Sequence, residues 1–270
     1  MKSSQLTDLQ RNLKEGTFLW IDEDWNNDPF REFIQHLNAQ FENSDIFYNV
    51  RNSLAVFHAT ADNGLKKDVV VKKFNMTKKY DQLRFRFLKS KAVRSLVIAT
   101  ALTEIGLKTP PPVAVVEKRD QRKKIIYSYF LTEYIHHDCS LLDIIRQENH
   151  PHRGKFQSLL PPIARDIRKM HDAGIVHNDL HGGNILIKNI EAEPEFYYID
   201  LNRARIKPRL DEKKRIKDLA RFEFSLEDQA VFLRHYAPEK HQELLDLLVK
   251  MRRKRERLME YKLKLKQLLK

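Results

Sequence analysis

Two carboxylates and a carboxamide stand where this chain could do chemistry. His177-Asn178-Asp179-Leu180-His181-Gly182-Gly183-Asn184 runs straight into the apolar stretch Ile185-Leu186-Ile187. Further on, Tyr197-Tyr198-Ile199 ends on Asp200, sixteen residues after Asn184. Acids and an amide at the ends of short hydrophobic strands are what phosphoryl transfer from a metal-bound nucleotide needs. One Asp orients and deprotonates a hydroxyl, while an Asn and a second Asp hold metal ions against the phosphates.

The spacing His-x-Asp-x-x-x-x-Asn from His177 to Asn184 is that of a protein-kinase catalytic loop. Such chemistry also needs a strand lysine directed at the nucleotide phosphates. Asp68-Val69-Val70-Val71-Lys72-Lys73-Phe74 is the candidate strand, following the turn signal Asp62-Asn63-Gly64. Side chains alternate along a strand, so Val70 and Lys72 share one face and Val71 and Lys73 the other. Lys72 is the candidate for the phosphates, with Val70 beside it against the base. The alternative is that both lysines mark a solvated strand end.

The elements that must position these residues follow from periodicity. Residues 1–45 are polar with scattered apolar positions, and Phe30, Phe33, Ile34, Leu37 and Phe41 recur at helical spacing behind Asp28-Pro29. Ile46 to Phe57 reads as two strands around a polar turn at Arg51-Asn52-Ser53. Residues 77–107 are basic and helical in pattern, with Gly106 as a stop, followed by the stiff connector Thr109-Pro110-Pro111-Pro112. Two further strands, 113–116 and 125–133, flank a charged tip at 117–124, and Leu131-Thr132-Glu133-Tyr134-Ile135 reads as the linker leaving the sheet. From Ser140 the pattern is helical: one helix at 141–145, and a second opened by Pro161-Pro162 and stopped at Asp172-Ala173-Gly174. Asp143 and Asp166 read as surface or capping residues. A basic linker at 203–217 leads to the last helices. Residues 250–270 carry ten Lys or Arg against two Glu. This basic amphipathic tail is expected to pack as a terminal helix, with an anionic membrane surface as the alternative.

Bulk composition agrees with a globular chain. It has 270 residues, 41% hydrophobic and 32% charged, and a formal net charge of +13, which favours an anionic partner. Cys139 is the single cysteine, which excludes an intramolecular disulfide and suits a reducing compartment. The first residues lack a signal-like apolar run, so the expected location is cytoplasmic, peripheral on the inner face of the inner membrane as the further expectation. His136-His137 and His150-Pro151-His152 lack a cysteine at ligand spacing and do not read as a metal site. Basic and aromatic residues are not ordered into a nucleic-acid-binding motif, so no nucleic acid is expected. The oligomeric state stays open.

Gly174-Ile175-Val176-His177-Asn178-Asp179-Leu180-His181-Gly182-Gly183-Asn184-Ile185-Leu186-Ile187 with Ile199-Asp200 resembles the lipopolysaccharide core sugar kinases, the Kdo and heptose kinases of the protein-kinase-like fold. Aminoglycoside and choline kinases share the Asp-x-His-x-x-Asn form. The basic balance, the connector Gly106–Val113 and the short chain beyond Asp200 favour the lipopolysaccharide branch.

The resemblance implies an α+β, two-lobed fold: a nucleotide-binding lobe over 1–132 with a helical extension at 1–45, a hinge at 133–138, and a helical catalytic lobe over 139–270. It implies ATP and Mg2+ as cofactors, and a lipopolysaccharide core or lipid A precursor as acceptor. Asp179 would be the base that takes the sugar hydroxyl's proton, and His181 would sit beside the transferring phosphoryl group. Asn184 and Asp200 would hold magnesium. His177 would frame the loop. Lys72, Val70, Glu133 and the turn Arg51, Asn52 and Ser53 would contact the nucleotide.

Four departures accompany the resemblance. A glycine-rich phosphate loop is lacking, and Arg94-Ser95 stands where a helix Glu would pair with Lys72. The metal motif reads Asp-Leu-Asn, and an Ala-Pro-Glu segment with a long activation loop is missing. The rival functions are a small-molecule kinase of the aminoglycoside or choline type and a catalytically weak nucleotide-binding scaffold.

Overall fold

In a computed structural model the chain is described over residues 16–49, 52–76 and 79–268. It divides into two compact units, Met1–Glu104 with Thr109–His136, and Ile105–Lys108 with His137–Lys270.

The first unit is a six-stranded antiparallel sheet with helices on it. In chain order the strands are β1 (Thr17–Ile21), β2 (Ile46–Asn49), β3 (Asn52–Phe57), β4 (Val69–Phe74), β5 (Pro112–Arg119) and β6 (Ile125–Glu133). They lie side by side as β1-β5-β6-β4-β3-β2. Helix α1 (Asp28–Glu42) starts on an Asn27 side chain that accepts the Phe30 N–H at 3.0 Å. It drives Phe30, Phe33, Ile34, Leu37 and Phe41 into a core with Ala55, Val69, Val71, Tyr129 and Leu131. Burying five such side chains is what holds the helix to the sheet, at about 1.5–3 kcal/mol each. After the short α2 (Lys79–Arg84), helix α3 (Lys91–Glu104) packs on β5 and β6.

Three expectations are corrected here. The helical extension expected over 1–45 is not purely helical in its described part, from residue 16 on: Thr17-Phe18-Leu19-Trp20-Ile21 is a strand that pairs with β5, Thr17 opposite Lys118 and Ile21 opposite Ala114. Its β-branched and aromatic residues favour a pleated surface, and an unfilled edge of β5 accepts them. The turn placed at Arg51-Asn52-Ser53 is also displaced. Asn52 and Ser53 already belong to β3, opposite Phe74 and Lys73, while Arg51 lies outside the described residues. The charged tip at 117–124 is shorter than expected, because β5 continues through Arg119. Glu117 is buried there against Arg119 Nε at 2.6 Å and the Ser128 hydroxyl at 3.1 Å, and Asp120 closes the turn by accepting from the N–H groups of Arg122 and Lys124.

The second unit is mainly helical. Strand β7 (Cys139–Ser140) leads into α4 (Leu141–Arg146) through a capping box, with the Ser140 side chain on Asp143 N–H and the Asp143 carboxylate on Ser140 N–H. Helix α5 (Phe156–Asp172) begins ahead of Pro161-Pro162, because Phe156, Leu159 and Leu160 are already buried in its first turns. Short strands β8 (Ile175–Val176) and β11 (Arg205–Ile206) pair with each other, and β9 (Ile185–Lys188) lies between β7 and β10 (Glu195–Tyr198). The expected basic linker at 203–217 is therefore β11 followed by α6 (Glu212–Leu219), started by Asp211 accepting Lys214 N–H. Helix α7 (Leu226–Tyr236) packs on α5, and α8 (His241–Leu268) packs on α6 and α7.

Helix α8 is held at its base by buried Leu244 and Leu248. The Arg252 guanidinium reaches the carbonyls of Phe222 and Phe224 at 2.7 and 3.0 Å. Farther along, Leu258 and Tyr261 are exposed. Among the described residues no helix is long and apolar enough to cross a membrane.

Candidate active site

The stretch 177–184 is fixed by its neighbours on both sides. Gly174 has φ +74°, and a Cβ there would fall 2.1 Å from the Lys207 carbonyl oxygen, so the chain enters β8 through a contact only glycine allows. Gly182 is similarly close-packed, since a Cβ would come within 2.9 Å of the Leu142 backbone nitrogen at the start of α4. Between them Asn178 takes φ 63°, with its Nδ2 donating to the Arg203 carbonyl at 3.1 Å.

A buried carboxylate from α6 anchors the loop. Asp218 accepts the backbone N–H of His177 through Oδ2 and that of Asn178 through Oδ1, both at 2.7 Å. His171 Nε2 lies 3.4 Å from the same Oδ2, and His171 Nδ1 meets the Tyr236 hydroxyl at 2.7 Å. His177 itself is fully buried, and its Nε2 donates to the Ile199 carbonyl at 3.0 Å. Burial holds its pKa below the ordinary 6.5, against the opposing pull of Asp218 and of the Ile199 carbonyl. The ring is thus neutral, and it ties the 177–184 stretch to the strand that delivers Asp200.

Asp179 is partly exposed and doubly held. Its Oδ1 accepts from Arg203 at 2.9 Å and from Arg221 at 2.8 Å. Burial lowers the Arg221 pKa while the Asp179 charge opposes that shift. Asn184 Nδ2 donates to the Asp179 carbonyl at 2.8 Å, and Ile199 N–H donates to the Asn184 carbonyl at 3.0 Å. The next residue, Asp200, sits at φ 58° and takes a hydrogen bond from Asn202. Asp179, Asn184 and Asp200, separate in sequence, are therefore joined through one hydrogen-bonded backbone network. His181 caps the turn at 182–184, its Nδ1 accepting the Gly183 N–H at 3.1 Å.

The remaining sequence candidates lie in the first unit. On β4, Val69 and Val71 belong to the core beneath α1. Lys73 shares that face: it pairs with Glu42 and lies 5.8 and 5.7 Å from the Phe41 and Tyr129 rings. Val70 and Lys72 lie on the opposite face, with Lys72 Nζ 5.6 Å from the Phe74 ring. Ser53 is buried and accepts from Asn75 Nδ2 at 3.0 Å, whereas the buried Oδ1 of Asn52 has no hydrogen-bond partner among the described residues. Glu133, at the end of β6, pairs with Lys67 at 2.8 Å. Among the described residues Glu104 is the last residue of α3, and Arg94 packs over the Phe85 ring at 5.1 Å.

Sequence reading missed Asp218, Arg203 and Arg221. Asp218 carried a weak signal, a lone acid between Ile216 and Leu219 on an apolar helix face. Arg203 follows the Asp200-Leu201-Asn202 motif directly, but its basic surroundings made it look like solvated linker. Asp166 is also corrected: it is not a surface residue but accepts from the Tyr198 hydroxyl at 3.1 Å, and burial raises its pKa.

Comparison with known proteins follows the same lines. The model of the lipopolysaccharide kinase (Kdo/WaaP) family matches residues 49–246. A 3-deoxy-D-manno-octulosonic acid kinase of Haemophilus influenzae (strain PittGG) is 31% identical over 132 residues, 47% of this chain and 52% of that protein. A serine/threonine-protein kinase of Aspergillus terreus (strain NIH 2624 / FGSC A1156) is 28% identical over 137 residues, 49% of this chain and 29% of that protein. The chain thus spans about half the length of the Haemophilus relative. Among solved structures, WaaP in complex with acyl carrier protein superimposes with a TM-score of 0.58 at 23% identity, over 89% of this chain and 98% of that one. That likeness makes the fold kinase-like.

Proposed function

Since the chain belongs to the lipopolysaccharide kinase (Kdo/WaaP) family, we propose that it transfers the terminal phosphoryl group of ATP to a hydroxyl of a lipopolysaccharide inner-core sugar, Kdo or heptose. The observation that carries this reading is the network joining Asp179, Asn184 and the Ile199-Asp200 peptide. Asp179 would then supply the carboxylate for the acceptor, and Asn184 and Asp200 two oxygen ligands for a nucleotide-bound cation.

Asp179 is the base. Arg203 and Arg221 occupy Oδ1 and fix the plane of the carboxylate, so Oδ2 is left to receive the acceptor hydroxyl's proton as its oxygen attacks phosphorus. His181 Nδ1 is committed as an acceptor, so a neutral ring carries its proton on Nε2 and donates toward the transferring group. Lys72 contacts the nucleotide phosphates, Val70 lies against the base, and Glu133 lines the nucleotide's edge.

The metal donor set fits magnesium. The Asn184 amide nitrogen is spent on the Asp179 carbonyl, which leaves Oδ1 as a ligand, and Asp200 adds a carboxylate. Among the described residues no cluster of three or more His, Cys, Asp or Glu could hold an ion unaided. Two oxygen ligands completed by substrate phosphates and water are what magnesium usually takes. Bound there, the ion would neutralise charge on the β- and γ-phosphates.

An acceptor of this class is a lipid rich in carboxylate and phosphate. The formal charge of +13 suits it, and suits work at the anionic inner face of a membrane. The test is ATP turnover against lipopolysaccharide core fragments, with choline and aminoglycosides as controls. Magnesium-dependent turnover restricted to the core fragments is the expected result; turnover on the cationic controls alone would overturn the reading.

A further inference from the structure

Tyr80, Leu83, Phe87 and Leu88 recur at the spacing of one helical face, along α2 and the turn that follows it. In a soluble helix such a face turns inward. Here it turns outward: the four side chains are 70%, 56%, 82% and 48% exposed. Looseness does not explain this, because the segment is pinned from beneath. Phe85 is 1% exposed, the Arg119 guanidinium donates to its carbonyl at 2.6 Å, and Arg94 lies over its ring. Gln82 Nε2 donates to the Met76 carbonyl at 3.0 Å, and backbone bonds Phe85 to Asp81 and Leu88 to Arg84 close the turn.

Charge says what covers the face. Residues 79–91 hold Lys79, Arg84, Arg86, Lys89 and Lys91 against the single acid Asp81. A second copy would bring the same positive rim against this one. An anionic bilayer presents the opposite charge, together with a boundary layer that takes aromatic and aliphatic side chains. We infer that the outward face of residues 80–88 is a membrane-docking surface for anionic phospholipid, inserting Leu83, Phe87 and Leu88 among the acyl chains while the neighbouring cations meet the phosphates. The inference deepens the proposed function, resting on its lipid-linked acceptor, and places the membrane contact on the sheet-bearing unit.

The test uses the full chain and vesicles of phosphatidylglycerol with phosphatidylethanolamine, with pure phosphatidylcholine as control. The double variant Leu83→Ser/Phe87→Ser should lower partitioning onto the anionic vesicles by at least about tenfold. Its turnover on a soluble, delipidated core fragment should stay unchanged. In a separate variant, Phe87→Trp, emission should shift to shorter wavelength on adding anionic vesicles. Equal partitioning of wild type and double variant, or an unmoved Trp emission, would overturn the inference. So would loss of binding on deleting residues 250–270 alone, which would put the contact on α8. A concentration-dependent dimer abolished by the double variant, without vesicle binding, would make a second copy the occupant. Absent turnover in both proteins would count against the proposed activity and leave the vesicle readings to stand alone.

Discussion

The backbone N–H of His177 donates to the Asp218 carboxylate at 2.7 Å across forty-one residues of chain, and both residues are buried. With the matching bond from Asn178, one carboxylate from α6 sets the path of the backbone just before Asp179. The loop's shape is thus governed by a helix remote in sequence.

Replacing that carboxylate tests the arrangement. Asp218→Asn keeps the volume but offers one acceptor oxygen to two N–H donors, and turns an NH2 group toward the other. A buried donor left unpaired costs about 1–3 kcal/mol, so the unfolding free energy should fall by that amount, read as a lower urea midpoint with an unchanged slope. Turnover should fall with it while nucleotide affinity changes little. An unmoved midpoint would mean that the carboxylate does not hold the loop.

The residues proposed to carry the chemistry were easier to nominate from the sequence than the scaffolding that holds them. Asp179, Asn184 and Asp200 could be named because strand ends and fixed spacings are local signals. Strand alternation separated Lys72 from Lys73, and β4 does place the two on opposite faces. Asp218 and Arg221 could not be found that way, since each reaches the loop from about forty residues away. β1 was missed for a related reason: a five-residue strand at a sheet edge takes its stability from a partner, β5, almost a hundred residues on.

The neutral His177 ring predicts an acid-side loss of stability. Its folded pKa lies below the ordinary 6.5, so beneath about pH 6.5 the unfolded chain binds a proton that the folded chain refuses. The stabilisation is complete above 6.5 and declines as pH falls toward the depressed value, at no more than about 1.4 kcal/mol per pH unit. His177→Gln can keep a donor for Ile199 without titrating. Unfolding free energies of the two proteins should converge between pH 7.5 and 5.5; a difference that ignores pH would show that His177 is not the group responsible.

Asp179→Ala should reduce phosphoryl transfer about a hundredfold or more, since a positioned base is usually worth that. Nucleotide binding should persist, because Asn184 and Asp200, the proposed metal ligands, remain. Single-turnover rates and nucleotide titration separate the effects, and a variant as fast as wild type would remove Asp179 from the role of base.

Asp200→Ala should act on the other half of the reaction. If Asp200 is the carboxylate ligand proposed above, its loss should weaken nucleotide binding with magnesium present and leave the magnesium-free affinity nearly as it was. Titrations with and without the ion read this directly, and equal affinities for wild type and variant in magnesium would remove Asp200 from the metal site.

Gly174→Ala asks whether the approach to β8 must be a glycine. At φ +74° an L side chain is strained by about 1–2 kcal/mol, and the added Cβ would also lie 2.1 Å from the Lys207 carbonyl, which must move. Lys207 N–H donates to the Gly174 carbonyl at 2.9 Å, so that movement loosens β8 against β11 and carries His177 and Asp179 with it. The expected cost is about 2–4 kcal/mol in unfolding free energy, with turnover reduced in proportion to the misplacement of Asp179. Gly154→Ala is the matched control, because a Cβ there meets nothing within 4 Å and its φ is ordinary. That substitution should leave stability within about 0.5 kcal/mol or raise it slightly, by restricting the unfolded chain. Equal urea midpoints for the two alanine variants would mean that the contact with Lys207 relaxes freely and does not set the loop.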